Sequence, residues 1–277
     1  MSPNFLKPIT ACIGQPVAEN PTQVMIEAAY DDLDLDWRYI TLEVAPSDLA
    51  SAVAGMRAMG FVGFNCTIPH KVTVIGHLDG LGESARLMQA VNCVVRRDDA
   101  LIGENTDGKG FVRALAARRD PHGTEVTIVG AGGAARAIAV ELGLAGATTL
   151  RIANRSLARL EQLRDLLIRS LPHVDVEVAH IDGIYPIPGT TDILINATSV
   201  GLFPDVNGRV PVDLHDLSAS TTVADVVFNP ADTPFLQDAR ARGCRTVDGA
   251  EMLIGQGVIG VEYWTGKTPD PIAMRDA

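Results

Sequence analysis

The sequence predicts an α/β protein of two domains, one of them built on a parallel sheet. Three observations lead there. Short apolar runs alternate with stretches of helical apolar spacing along the chain. One glycine-rich turn, in EVTIVGAGGAARA from Glu125 to Ala137, joins a buried strand directly to a helix. And 277 residues are too many for one small core, while an apolar content of 47% is ample to fill two.

Taken in order, residues 8–14 form an apolar run ending in Gly-Gln-Pro, a strand and then a loop. Pro21-Thr22 opens a helix with Met25, Ala28, Ala29 and Leu33 on one side. Residues 37–44 read as a second strand, and Pro46-Ser47-Asp48 starts a helix carrying Leu49, Val53 and Met56. A third strand at 60–65 runs into Cys66-Thr67-Ile68-Pro69-His70-Lys71, where Pro69 suits the first turn of a helix. Residues 91–97 and 101–104 flank Asp98-Asp99 as a hairpin, and Asn105-Thr106-Asp107 caps the helix that contains Phe111 and Leu115. These elements predict a first domain over residues 1–107. A helix at 108–118 then leads into a second domain over 108–249.

In that second domain the strand at 126–129 turns over Gly130, Ala131, Gly132, Gly133 and Ala134. The helix that follows repeats Ala135, Ile138, Ala139 and Leu142 on one face. Glycine lets the backbone approach an anion, while free N–H groups and the helix dipole attract it. With a further strand at 148–153, the context favours dinucleotide binding over a plain turn. An NAD site places an acid at the end of that strand, for the ribose 2′-hydroxyl. Here stand Asn154, Arg155 and Ser156, with Arg159 a turn later. Two guanidinium groups without a carboxylate suit a 2′-phosphate, hence NADP(H). The plainer alternative leaves both arginines as solvated helix charges and Ser156 as a cap for the helix bearing Leu160, Leu163 and Leu167. Further strands are expected at 174–179, 192–195 and 223–228, so that Asn154, Asn196 and Asn229 fall at strand ends. Thr233-Pro234 opens a helix that Gly243 closes, and Asp248-Gly249 turns into a final helix running through Trp264.

Composition narrows the partners. A net charge of −11 disfavours nucleic acid and anionic membranes. No apolar run reaches bilayer length and residues 1–10 carry no signal-peptide pattern, so a cytoplasmic location is expected. Cys12, Cys66, Cys93 and Cys244 lack disulfide or zinc spacing and read as reduced core thiols, and no metal site is expected. For nicotinamide chemistry a group must handle a hydroxyl proton. Lys71 and Asp107, each just past a strand at a helix start, are the candidates. A helix N-terminus disfavours an ammonium, so the lysine would titrate nearer neutrality there. A surface lysine and a helix cap are the alternative.

Taken together, these segments resemble the shikimate dehydrogenases. Residues 65–71 are similar to their N-V-T-x-P-x-K, Ala90-Val91-Asn92 to A-V-N, and residues 103–108 to G-x-N-T-D-G. The glycine loop is similar to G-A-G-G-A, residues 154–159 to N-R-[ST]-x-x-R of NADP-dependent members, and residues 195–199 to I-N-A-T-S. Asp248-Gly249 and Gln256 also have counterparts, so the likeness runs in order along nearly the whole chain.

The resemblance implies a reversible, NADP-linked oxidation of shikimate to 3-dehydroshikimate. It implies an acid/base role for Lys71 paired with Asp107, and a ring pocket from Asn65, Thr67, Asn92 and Gln256. On the cofactor side it adds Asn196, Thr198, Val226, Gly249 and Met252 to the loop and arginine residues. It also implies a substrate domain, a Rossmann-like domain, and C-terminal helices from 250–277 returning to the first. A monomer or homodimer acting on a small cyclitol carboxylate is expected. Three positions depart from the family pattern. The S-x-S whose hydroxyls bind the substrate carboxylate is Asn20-Pro21-Thr22 here, and the tyrosine of Y-D-x-x-Y-N-P is Phe228. All fall at the carboxylate end, which leaves a quinate or other cyclitol dehydrogenase as the alternative. An NADP-binding regulatory protein is a further one, against which the retention of Lys71 and Asp107 argues.

Overall fold

The computed structural model describes residues 5–277. The chain divides into two compact units, Met1–Thr106 with Gln256–Ala277, and Asp107–Gly255.

The first unit runs β1 (Ile9–Gly14), α1 (Thr22–Asp32), β2 (Arg38–Glu43), α2 (Leu49–Ala58), β3 (Gly63–Cys66), α3 (His70–Thr73), β4 (Gly80–Leu81), α4 (Glu83–Met88), β5 (Cys93–Arg97) and β6 (Ala100–Glu104). Its sheet has the order β2-β1-β3-β5-β6-β4. β1 pairs in parallel with β2 and β3, whereas β5 is antiparallel to β3 and β6. The β5–β6 turn carries Asp98 at φ 54°, a left-handed conformation that aspartate tolerates better than most residues. Leu49, Val53 and Met56, spaced four and then three apart, form the face that α2 buries with Ile13, Phe64, Val94 and Leu101 of the sheet. Full burial of each such side chain contributes roughly 1.5–3 kcal/mol.

One expectation changes here. The helix expected after Pro69 is a single α turn, α3, continued by a 3₁₀ turn at Val74–His77. A one-turn helix sums only a few peptide dipoles, so its end supplies little of the field expected at Lys71. β4 and α4 had no forecast, being too short to leave a readable period.

The second unit runs α5 (Asp107–Ala116), β7 (Glu125–Val129), α6 (Gly133–Leu144), β8 (Thr149–Asn154), α7 (Leu157–Ser170), β9 (Asp175–His180), β10 (Tyr185–Pro186), β11 (Ile193–Asn196), β12 (Val212–Asp213), β13 (Thr222–Asp225), α8 (Pro234–Ala241) and β14 (Arg245–Val247), then enters α9 (Gly249–Thr265). Six parallel strands form the sheet β14-β13-β11-β7-β8-β9. Counted along the chain from β7 as the first, the order is 3-2-1-4-5-6, the doubly wound Rossmann arrangement, with its switch point between β7 and β11. β11 and β13 are buried along their whole length, and β7 is buried from Val126 onward, as parallel strands covered on both faces must be.

The strand expected at 223–228 stops at Asp225, so Asn229 lies in a loop and not at a strand end. The cause is local. The Asp225 carboxylate accepts from the Val227 N–H at 3.0 Å and turns the chain out of the ladder. α9 is not the last helix either. α10 (Pro271–Asp276) follows, its first turn capped by Asp270, which accepts from Ile272 N–H at 2.8 Å. α10 packs on α1, and Trp264 near the end of α9 donates its indole N–H to Val94 O at 3.0 Å. The C-terminal segment thereby returns to the first unit.

Candidate active site

In the first unit, the predicted substrate residues gather at the ends of β1, β3 and β6. Asn65, at the third position of β3, accepts from the Tyr39 hydroxyl at 2.7 Å and donates to Asn92 O at 3.0 Å. Asn92 donates to Thr106 Oγ1 at 3.0 Å and accepts from Thr106 N–H at 2.7 Å. Thr106 in turn donates to Gln256 Oε1 at 3.5 Å. All five side chains are buried. Because the side-chain oxygens of Asn65 and Asn92 are both occupied as acceptors, the orientation of each amide is set. Tyr39 and Thr106 were not forecast as members. Tyr39 sits in an ordinary-looking strand, and Thr106 reads from sequence only as part of a helix cap.

Lys71 is half-buried and held through its neighbours. Its carbonyl accepts from Val91 N–H at 2.7 Å, and the adjacent His70, fully buried, bonds Val44 O through Nε2 at 2.8 Å. Thr67 supplies the carbonyl that accepts His70 N–H at 2.9 Å, closing the turn between β3 and Lys71. Asn20 and Thr22 bond each other, with Thr22 N–H and Oγ1 donating to Asn20 Oδ1 at 2.9 and 2.5 Å. Asn20 Nδ2 faces Cys12 Sγ at 3.8 Å, and burial pushes that thiol up to about 11, so it stays neutral at ordinary pH.

In the second unit, Asp107 opens α5. Gly130 follows β7 at φ 124°, and a side chain there would meet Ala197 O at 2.6 Å, so only glycine permits this approach across the switch point. Gly132 and Gly133 instead face open space, where a Cβ would meet nothing within 4 Å. Gly132 is the N-cap of α6 and brings no side-chain cap to the first N–H groups of this twelve-residue helix. A cavity of about 230 Å³ lies beyond, lined among others by Asn154 and Arg155 from the end of β8 and by Thr198. Ser156 caps α7, accepting Arg159 N–H at 3.4 Å, and neither it nor Arg159 lines the cavity. An open glycine cradle, a helix N-terminus and a guanidinium-lined cavity are the parts a dinucleotide phosphate requires, so the residues fit NADP(H).

Asn196 ends β11 and donates to Asp225 Oδ1 at 2.9 Å, while its own oxygen accepts from Thr198 N–H and hydroxyl at 3.1 and 2.7 Å. Asp225 is fully buried, and burial raises its carboxyl to about 6 against the lowering effect of Val227 N–H, the Thr233 hydroxyl and the Asn196 amide. Val226 N–H donates to Asn196 O at 3.0 Å, and a side chain on Gly249 would meet the Val226 backbone at 2.6 Å. Met252 is half-buried in α9, and Phe228 is exposed. Of the cavity residues in the 197–211 loop the sequence points to Thr198 but not to Val200, Arg209 or Pro211, nor does it single out Asp225, because a loop without period leaves no signal of what it faces.

Residues 12–94 match the family of shikimate dehydrogenase substrate binding domains, and residues 114–210 match shikimate / quinate 5-dehydrogenase. Residues 249–277 match the shikimate 5'-dehydrogenase C-terminal domain. The chain belongs to the shikimate dehydrogenase family. A shikimate dehydrogenase (NADP(+)) from Shouchella clausii is 39% identical over 266 residues, covering 95% of this chain and 94% of that protein. Among solved structures, the ligand-free 5-ketofructose reductase of a Gluconobacter species is 50% identical with a TM-score of 0.95, covering 99% of this chain and 98% of that one. Shikimate 5-dehydrogenase from Listeria monocytogenes, solved with shikimate and NAD, is 30% identical with a TM-score of 0.92, covering 100% and 98%. The family is one of oxidoreductases, which agrees with the two-unit fold and the nucleotide cradle. Among the described residues, no helix is long and apolar enough to cross a membrane.

Proposed function

We propose that the chain catalyses the reversible NADP(H)-linked interconversion of shikimate and 3-dehydroshikimate. NADP(H), when bound, supplies or accepts the hydride. The observation that carries the reading is the buried network from Asn65 through Asn92 and Thr106 to Gln256, which shares its unit with Lys71. Neutral amides and hydroxyls are what ring hydroxyls need for recognition, since they donate and accept without adding charge. In the oxidation direction Lys71 Nζ takes the hydroxyl proton as the C–H hydride leaves and the carbonyl forms; in reduction it returns the proton. Asp107 is assigned to pair with Lys71 and orient it. Thr67 shapes the ring pocket, while Asn20, Thr22 and Phe228 are assigned to the end that meets the substrate's remaining substituent. Residues 1–107 with 250–277 are the substrate domain in this reading, and residues 108–249 the cofactor domain. There Gly130, Ala131, Gly132, Gly133 and Ala134 cradle the pyrophosphate, and Asn154, Arg155, Ser156 and Arg159 read the 2′-phosphate side. Asn196, Thr198, Val226, Gly249 and Met252 support the nicotinamide end. The four buried cysteines, none in a disulfide, suit the reducing cytoplasm.

A second reading is favoured by a specific pair of observations. Thr22 spends its hydroxyl on Asn20, and Phe228 offers no hydroxyl, so the carboxylate end lacks the family's donors. The Gluconobacter relative, at 50% identity, is named for a ketone without a carboxylate. On this reading the substrate is a neutral polyhydroxylated ketone such as 5-ketofructose, reduced with the same Lys71 chemistry. A spectrophotometric panel of shikimate, quinate and 5-ketofructose with NADP(H) and NAD(H) tests both. Shikimate turnover well above the others supports the first reading, and 5-ketofructose turnover above shikimate replaces it with the second. No turnover of any of them removes the enzyme assignment for these substrates.

A further inference from the structure

The cavity beside the glycine loop is lined by two arginines, not one. Arg155 reaches it from the end of β8, and Arg209 reaches it from the loop that joins β11 to β12. Among the described residues no carboxylate lines it, in a protein whose net charge is −11. Such a protein repels anions at long range, so local cations must overcome that field where an anion is bound. A phosphate monoester carries nearly two negative charges at neutral pH, and one guanidinium leaves about one of them uncompensated. The rest of the lining includes Ile181 and Val200, apolar surface suited to a base ring, with Asn154 where an acid would face a ribose hydroxyl.

Resting on the assignment of this unit to NADP(H), we infer that Arg209 is a further reader of the 2′-phosphate, joining Arg155 in the lining of the cavity. Arg209 forms an ion pair with Asp238 of α8, with both side chains well exposed. Exposed pairs of that kind contribute little net energy, so the guanidinium is readily exchanged from Asp238 to a phosphate.

The test is fluorescence titration of the full-length chain with NADPH and with NADH. Arg209→Gln raises the Kd for NADPH by about fivefold to thirtyfold at low salt and leaves that for NADH within about twofold. Asp238→Asn breaks the same ion pair but frees Arg209, so NADPH binds as tightly as before or tighter. Unchanged NADPH binding in Arg209→Gln would leave Arg209 a solvated surface charge and overturn the inference. Equal weakening of both nucleotides, or the same loss in Asp238→Asn, overturns it too, because the pair would then be bracing the loop. Failure of the cofactor assignment has a different signature, in which the unaltered protein itself shows no preference for NADPH over NADH; that result removes the role of Arg209 together with that of Arg155.

Discussion

Asn20 Oδ1 accepts from both the backbone N–H and the hydroxyl of Thr22, at 2.9 and 2.5 Å. This closed turn uses the one hydroxyl proton of Thr22 internally. Two serines in these positions, as in family members of the common pattern, would instead present two O–H donors outward. Replacing Asn20 and Thr22 by Ser and Phe228 by Tyr is therefore expected to lower the KM for shikimate. A hydrogen bond to a charged group is worth about 1.5–3 kcal/mol, so the fall should be at least about tenfold, with a smaller change in kcat. A KM unchanged in the triple variant would show that this end does not meet a carboxylate, and would favour the neutral ketone.

Lys71→Met is expected to lower kcat by ~10²–10⁴ and to leave NADPH affinity within a few-fold. The separation follows from placement, because Lys71 follows β3 in one unit and the glycine loop follows β7 in the other. Asp107→Asn should also slow turnover, since the amide keeps the shape of the side chain at the start of α5 but lacks its charge. Steady-state kinetics with parallel nucleotide titration checks both. A loss below about tenfold in Lys71→Met removes the lysine from acid–base duty.

Much of this architecture is legible in the sequence where burial imposes a period. β7, β8 and β11 declare themselves as apolar runs, and α2 through Leu49, Val53 and Met56, because each buries a continuous face. What escapes is set by side chains reaching over long sequence separations. Tyr39 meets Asn65 and Thr106 meets Gln256, contacts that no local spacing encodes. The end of β13 is not legible because its apolar run continues through Phe228, while the bond from Val227 N–H to Asp225 decides where the ladder stops. The departures at Asn20, Thr22 and Phe228 were visible from sequence, but the consumption of the Thr22 hydroxyl by Asn20 was not.

Arg155→Ala is expected to weaken NADPH by roughly 10–100-fold while changing NADH little, as loss of one charge-assisted bond to a phosphate predicts. Arg159→Ala should act in the same direction but less, since Arg159 does not line the cavity that Arg155 does. Isothermal titration with each nucleotide separates the cases. Equal weakening of NADPH and NADH by Arg155→Ala would place that residue on a group common to both.

The buried carboxyl of Asp225 is pushed up to about 6 in the folded chain against an ordinary 3.8. Burial raises it more than its three hydrogen-bond donors lower it. An acid whose folded pKa lies above its unfolded value holds its proton more tightly when folded. Below pH 3.8 both states are protonated, and the group makes no difference to stability. As pH rises toward about 6, the unfolded chain ionises first, so stability falls, and above that it levels off. The fall attributable to this one group is up to about 3 kcal/mol. Asp225→Asn keeps an oxygen to accept from Val227 N–H and Asn196 Nδ2, and its amide can donate to Thr233 Oγ1 in place of the bond that hydroxyl now gives. Urea unfolding of both proteins between about pH 4 and pH 7 should then give curves that diverge with rising pH, the variant retaining stability that the original loses. Curves that stay parallel across the interval would mean that Asp225 is ionised throughout in the folded chain, its three donors outweighing its burial.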